Sequence, residues 1–262
     1  MTILDKIIQN KQKEVQLLKD KFKIRDFEKM PFFSSEVTSL KNAITANEFG
    51  IIAEIKRKSP SAGTINNDLF PKELGLTYQN SGAAGISVLT DFDFFGGTIE
   101  DLIEVKKSVK IPVLRKEFII DEIQIFQAKS IGADAILLIA EALTEQQALH
   151  FTIIAQSLGM EVVMEFHEKN QLYKINQDVD IIGVNNRNLK LQKTDISNSI
   201  ELIDFLPKDR VLISESGIKT ADDLKRIYQC GYHGALIGES ILKSNSPLNF
   251  VSELQQSLLQ TN

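Results

Sequence analysis

Tryptophan is absent from this 262-residue chain, cysteine occurs once, at position 230, and histidine three times, at 150, 167 and 233. A lone cysteine excludes an internal disulfide and fits a reducing compartment. The histidines and Cys230 lack the spacing of a zinc set, so no metal is expected. No apolar run approaches the roughly 20 residues that a membrane-spanning helix needs. Residues 1–20 mix Asp and Glu with Lys, which excludes the uncharged core of a signal peptide. A formal net charge of -5 gives no electrostatic reason for a nucleic-acid partner. There is no linker, low-complexity tract or second domain. These absences lead to the expectation of a soluble, cytoplasmic protein with no cofactor, no membrane association and no nucleic-acid partner. Nothing in the residues fixes an oligomeric state, and a monomer is the default expectation.

What is present is a rhythm. Short apolar runs occupy 51–56, 85–90, 111–116, 134–140, 161–165, 180–185, 210–215 and 234–238. They are rich in Ile, Val, Leu and Ala without clean alternation, as strands buried on both faces are. Segments of helical length separate them, at 71–80, 98–108, 122–131, 144–158, 169–177, 195–205, 221–229 and 247–259. Glycines stop several of these helices, at 82, 132, 159 and 231, and Pro71 and Pro247 fit first helical turns. Strand–helix alternation of this kind predicts an α/β protein with a parallel sheet, and eight units predict a closed (β/α)8 TIM barrel. The expected organisation is one domain, 1–262. Residues 1–46 form an N-terminal helical extension covering the barrel, and 47–262 form the barrel proper. The extension opens with a helix over 2–21, capped by Thr2 and Asp5, with Ile3, Ile7, Ile8, Val15 and Leu18 on one face. A second short helix is expected over 39–46.

In such a barrel the active site lies at the carboxyl ends of the strands, so the strand ends are the candidate residues. Glu54 and Lys56 lie two apart and share one side of their strand. Burying both against the outer helices would cost several kcal/mol. They form a structural ion pair at the rim, an acid–base pair at the mouth or part of a substrate anion site. Lys116 ends the third run and Glu165 the fifth; a carboxylate after so apolar a stretch is costly unless used or paired. The fourth run ends in 137–140, an apolar wall. Asn185 can fix a substrate hydroxyl or carbonyl, and Arg187 offers a planar fork for carboxylate or phosphate. Both Arg187 and His167 also read as ordinary loop residues. The seventh run ends in Ser214 and Glu215, followed by Ser216 and Gly217, and the eighth ends at Gly238, followed by Glu239 and Ser240. Those are the loops in which many barrels hold a phosphate. The stretch 57–70 is the longest irregular segment, and a loop of that length is more often functional than idle. Phe92, Phe94 and Phe95 either line an aromatic pocket or pack their loop. Two carboxylates, two lysines, an Asn, an Arg and an anion cradle suggest lyase or isomerase chemistry on a small phosphorylated substrate.

The motif Ile-Ala-Glu-Ile-Lys-Arg-Lys-Ser-Pro-Ser at 52–61 resembles the signature of the indole-3-glycerol-phosphate synthase family. The resemblance continues through 88–91, 94–97, 114–118, 182–189, 214–218 and 236–240, in order and at the matching strand ends. It implies ring closure, decarboxylation and dehydration of 1-(2-carboxyphenylamino)-1-deoxyribulose 5-phosphate, a carboxy-lyase reaction of tryptophan biosynthesis. By the same resemblance Lys116 is the general acid on the ketone oxygen. Glu165 and Glu54 handle protons and stabilise the cationic intermediate, and Lys56 lies near the phosphate and serves in dehydration. Asn185 and Ser216 hold substrate hydroxyls and the network around them. Ser59, Gly217, Gly238 and Glu239 lie on the phosphate side, Glu239 through its backbone N–H. Arg187 faces the anthranilate carboxylate, and Pro60, Phe95, Phe118 and Leu137 wall the ring; Glu215 joins the substrate-binding set. With no tryptophan, an aromatic contact from the N-terminal helix is missing, and Ile7, Ile8 or a neighbour must close the ring pocket.

The residues leave two other readings open. A phosphoribosylanthranilate isomerase-like barrel would bind a similar phosphate but is expected to use a Cys/Asp pair, and no Cys ends the first strand here. A barrel that binds a phosphorylated metabolite without catalysis would have no need of the complete lysine and glutamate set.

Overall fold

The computed structural model describes residues 1–188 and 193–259; Leu189, at the end of one of the family motifs, lies outside them. Eight parallel strands close a barrel: β1 Gly50–Ile55, β2 Gly85–Leu89, β3 Val113–Lys116, β4 Ala135–Ile139, β5 Glu161–Phe166, β6 Ile181–Asn185, β7 Val211–Glu215 and β8 Gly234–Ile237. Each strand pairs with its sequence neighbours, and β8 returns to β1 with Gly234 beside Gly50 and Ile237 beside Ala53. Helices on the outside connect the strands, as parallel pairing requires. Their starts are written in the sequence as capping boxes. Thr98 with Asp101, Thr144 with Gln147 and Thr220 with Asp223 each satisfy two backbone N–H groups reciprocally.

Side-chain alternation divides each strand between two cores. Ile51, Ala53, Ile136, Leu138, Val162, Met164, Ile182, Val184, Leu212, Ala235 and Ile237 face the helices. Ile52, Leu114, Ala135, Leu137, Val163, Ile181, Ile213 and Leu236 fill the barrel interior. The run 169–177, expected to be an α-helix, is a short 3-10 segment at Lys169–Lys174. Lys174 turns inward and donates to the carbonyls of Ala140 (2.7 Å) and Leu143 (2.6 Å). That ties down the link between β5 and β6 where a helix would have needed an apolar stripe. The expected helix at 195–205 is divided into Ser197–Leu202 and a 3-10 turn, Ile203–Phe205.

The segment ahead of β1 meets the barrel at both ends. The short helix Leu40–Thr45 plugs the amino-terminal end: a Cβ on Gly50 would meet Ile44 Cα at 2.7 Å, and one on Gly85 would meet Leu40 Cδ1 at 2.6 Å. The N-terminal helix Ile3–Lys21 lies across the carboxyl end, with Ile7 buried in the interior core. Thr2 and Asp5 cap it with the reciprocal bonds their spacing predicts. Among the described residues no helix is long and apolar enough to cross a membrane.

Candidate active site

The interior parity that carries Ile52, Leu114, Val163, Ile181 and Ile213 continues, two residues on, to Glu54, Lys116, Glu165, Gly183 and Glu215. Strand geometry alone therefore sends one lysine and three glutamates to the carboxyl end of the interior. Two glycines make room for them. A Cβ on Gly183 would lie 2.2 Å from Glu215 Oε1, and one on Gly238 would lie 2.4 Å from Glu54 Oε1.

Lys116 Nζ is the centre of the cluster. It donates to Glu215 Oε2 at 2.6 Å and lies 3.5 Å from Glu54 Oε2 and 3.6 Å from Glu165 Oε2. Glu54 also accepts from Lys56 through Oε1. Burial disfavours the Lys116 ammonium, but Glu215, Glu54 and Glu165 outweigh it and hold the amine charged well above its ordinary range. Burial likewise pushes against ionised Glu54, yet Lys56 and Lys116 hold its carboxyl down at about 2. Glu215 goes the other way. Wholly enclosed and next to Glu165, its carboxyl is pushed up to about 8 against the pull of Lys116. A site with one protonated donor, one fixed carboxylate and one carboxyl near neutrality can both give and take protons.

Two compartments open from this cluster. The first is narrow and mostly apolar, walled by Ile3, Ile7, Pro60, Leu89, Phe95, Phe118, Leu137 and Ile139, with Lys116, Glu165 and Asn185 on it. The rings of Phe95 and Phe118 stand 5.9 Å apart at its side. The second has a volume of about 740 Å³ and a polar lining that includes Ser61, Gly217, Lys219, Gly238, Glu239, Ser240, Lys243 and Ser244. Glu54, Lys56, Arg187 and Ser216 line both. The helix facing the first compartment thus closes it with Ile3 and Ile7, whereas Ile8 points to an outer groove beside Glu141 and Ala142.

Of the predicted site residues, the structure gathers all but two on these walls. Ser59 is buried in a small hairpin, Lys58–Ser59 against Gly63–Thr64, where its Oγ accepts from the Ala62 N–H at 3.1 Å. Glu215 lies behind Lys116 and lines neither compartment. Arg187 spans the gap between loops, donating to Ser61 Oγ at 2.6 Å and Glu239 Oε2 at 3.2 Å. That ties the 57–70 loop to those after β6 and β8.

Sequence reasoning missed the support beneath Ser216. This residue is in the left-handed region (φ 66°), followed by Gly217 (φ 80°), a strained arrangement for a side-chain-bearing residue. Asn186 holds it: its amide donates to the Ser216 carbonyl and to Ser214 Oγ, each at 2.9 Å. Its own carbonyl accepts from Ser199 N and Oγ. The signal in the sequence was only a second Asn beside Asn185, which is silent about which of the two faces the site.

With this geometry in place, comparison with known proteins is specific. The family model for indole-3-glycerol phosphate synthase matches residues 4–254. An indole-3-glycerol phosphate synthase from Bacteroides thetaiotaomicron is 42% identical over 257 residues, covering 97% of this chain and 99% of the relative. One from Alkaliphilus metalliredigens is 39% identical, covering 98% and 99%. Among solved structures, 3-hexulose-6-phosphate synthase from Salmonella typhimurium superposes with a TM-score of 0.64 at 15% identity, over 82% of this chain and all (100%) of that one. Tryptophan synthase subunit alpha from Legionella pneumophila does so with a TM-score of 0.60 at 13% identity, over 84% and 97%. Those two likenesses speak to the barrel alone, while the full-length relatives set aside the isomerase-like alternative. The chain belongs to the indole-3-glycerol phosphate synthase family.

Proposed function

We propose that this chain converts 1-(2-carboxyphenylamino)-1-deoxyribulose 5-phosphate to indole-3-glycerol phosphate, carbon dioxide and water. The observation that carries the reading is the Lys116 ammonium, held among the carboxyl groups of Glu54, Glu165 and Glu215 at the side of an apolar slot that opens into a cationic chamber. The aryl ring fits the slot between Phe95, Phe118, Leu137, Pro60 and the two isoleucines. The phosphate fits the chamber, where Lys56, Lys219 and Lys243 supply charge and Gly217, Gly238 and Glu239 supply backbone. Bridging the two folds the linear substrate, bringing ring carbon against ketone, which is itself a large part of the rate.

Lys116 protonates the ketone oxygen as the ring carbon attacks, forming the new carbon–carbon bond. The carboxylate beside Arg187 leaves as carbon dioxide and its bonding electrons return to the ring. Glu54 and Glu165 stabilise the cationic intermediate. Lys56 protonates the departing hydroxyl, and a carboxylate of the cluster takes the proton whose loss completes the indole. Asn185 and Ser216, at the junction, hold the substrate hydroxyls. Ser59 serves the phosphate side by shaping the hairpin that presents Ser61. The reading includes a cytoplasmic location, in keeping with the single cysteine, and no nucleic-acid partner, in keeping with the net charge of -5; a monomer is the default within it. The test is to mix the purified chain with the carboxyphenylamino substrate and follow the appearance of indole fluorescence. A folded chain that yields none overturns the reading.

A further inference from the structure

The N-terminal helix presents Ile3, Ile7, Lys11, Val15 and Leu18 along one face. Four of these are apolar; Lys11 is not, yet it is only 2% exposed. Its Nζ lies 2.6 Å from Glu14 Oε2, 2.9 Å from Glu117 Oε1 and 3.0 Å from Asp91 Oδ2. Asp91 and Glu117 are themselves 0% and 3% exposed. A charge is expensive to bury, and each of these is offset by its neighbours: Lys11 by Asp91 and Glu117, and Glu117 by Lys11 and by the buried Arg115 guanidinium 3.8 Å away. Burial disfavours the ammonium, but Glu117 and Asp91 outweigh that and keep it charged.

The two buried partners are not placed at random. Asp91 Oδ1 accepts from the Phe94 N–H at 2.8 Å and so caps the short helix Phe92–Phe95, which delivers Phe95 to the ring slot. Glu117 Oε1 accepts from the Phe118 N–H at 2.8 Å, and its Oε2 accepts from Thr90 Oγ1 at 2.7 Å. Glu117 therefore orients Phe118 and directly follows Lys116. Lys11 itself lies one helical turn from Ile7 and two from Ile3. Four walls of the slot (Ile3, Ile7, Phe95 and Phe118) thus converge on one ammonium from three separate parts of the chain. Asn10 adds an outer tie, with its Nδ2 donating to Asp93 Oδ2 at 2.7 Å.

We propose that Lys11 is the positioning residue of the ring slot. It seats the N-terminal helix across the barrel and, through Asp91 and Glu117, sets the segments bearing Phe95 and Phe118. It touches no reacting atom. These ion pairs hold the wall formed by Ile3 and Ile7 and the segments bearing Phe95 and Phe118 in a fixed relation to one another. The inference rests on the function proposed above.

The test compares the wild-type chain with Lys11→Met, which keeps the stem and removes the charge, and with Asp91→Asn, which keeps a cap for Phe94 and removes only the ion pair. Steady-state kinetics and amide hydrogen exchange are read together. In Lys11→Met, KM is expected to rise about tenfold or more, by a larger factor than kcat falls, because the walls move by a fraction of an ångström or more. Exchange in residues 3–21 and 92–95 is expected to quicken while strands β5–β7 keep their protection. Asp91→Asn moves the same readouts in the same direction by less, and it carries the test if Lys11→Met does not fold. Unchanged KM and unchanged exchange in a folded Lys11→Met, or in Asp91→Asn where Lys11→Met does not fold, overturn the proposal. So does an equal loss of kcat at constant KM. The exchange measurement needs no turnover, so a wild-type chain without activity would sink the proposed function separately and leave the seating role to be judged on exchange alone.

Discussion

Replacing Lys116 by Met removes one ammonium from among three buried carboxylates, and the structure allows the consequence to be worked out twice. For catalysis, loss of a positioned general acid costs about 10²–10⁴ in rate, or roughly 3–5 kcal/mol of transition-state stabilisation. For stability, Glu54 retains Lys56, but Glu215 and Glu165 lose the cation that lay 2.6 and 3.6 Å away. Breaking a buried pair by removing one partner costs about 3–5 kcal/mol if the charges persist. They need not persist. The Glu215 carboxyl is already pushed up to about 8 by burial and by Glu165, and losing Lys116 raises it further. A carboxyl raised on folding means that the folded state binds more protons between the unfolded and folded values, so stability falls as pH rises through that window. The variant should be nearly as stable as the parent at pH 6 and clearly weaker at pH 9. Indole fluorescence measures the first effect and thermal unfolding at both pH values the second. Turnover within tenfold of the parent would refute the assigned acid. A stability deficit equal at pH 6 and pH 9 would refute the charge cluster.

Gly238→Ala should abolish activity with the barrel intact, because the added Cβ would meet Glu54 Oε1 at 2.4 Å and displace the carboxylate between Lys56 and Lys116; kinetics with a circular dichroism control checks it. Asn186→Ala leaves Ser214, Ser199 and the left-handed Ser216 without their shared partner, and should cost about 1–3 kcal/mol in denaturant unfolding while raising KM. The profile of kcat/KM should decline above about pH 8, as Glu215 ionises and tightens its hold on the Lys116 proton. In Glu215→Gln that particular decline should vanish, and an unshifted alkaline limb would count against the assignment.

How much of this could be read in advance differs residue by residue. Glu54 and Lys56 were legible as a same-side pair because a strand repeats every two residues. Lys116, Glu165 and Asn185 were legible because each ends an apolar run that can only be a buried strand. The capping box of Thr2 and Asp5 was legible because it is local chemistry, formed between residues three apart at one helix start. The 3-10 segment at Lys169–Lys174 was not legible, since its reason is a lysine reaching carbonyls more than 30 residues earlier in the chain. Lys11 showed only as a gap in the apolar stripe between Ile7 and Val15, and a gap does not say what fills it.

The chain by itself determined the eightfold alternation, the parity that points the chemical groups inward and the family to which they belong, because periodicity, capping and motif order are properties of neighbours along the backbone. Closure of the barrel decided the rest. It set Glu215 behind Lys116 instead of on the pocket wall, turned Ile3 and Ile7 inward and Ile8 out, and gave Gly183 its purpose as the space for a carboxylate. Those outcomes depend on distances between segments far apart in sequence. Such distances are fixed only when β8 pairs with β1 and the N-terminal helix settles across the end of the barrel.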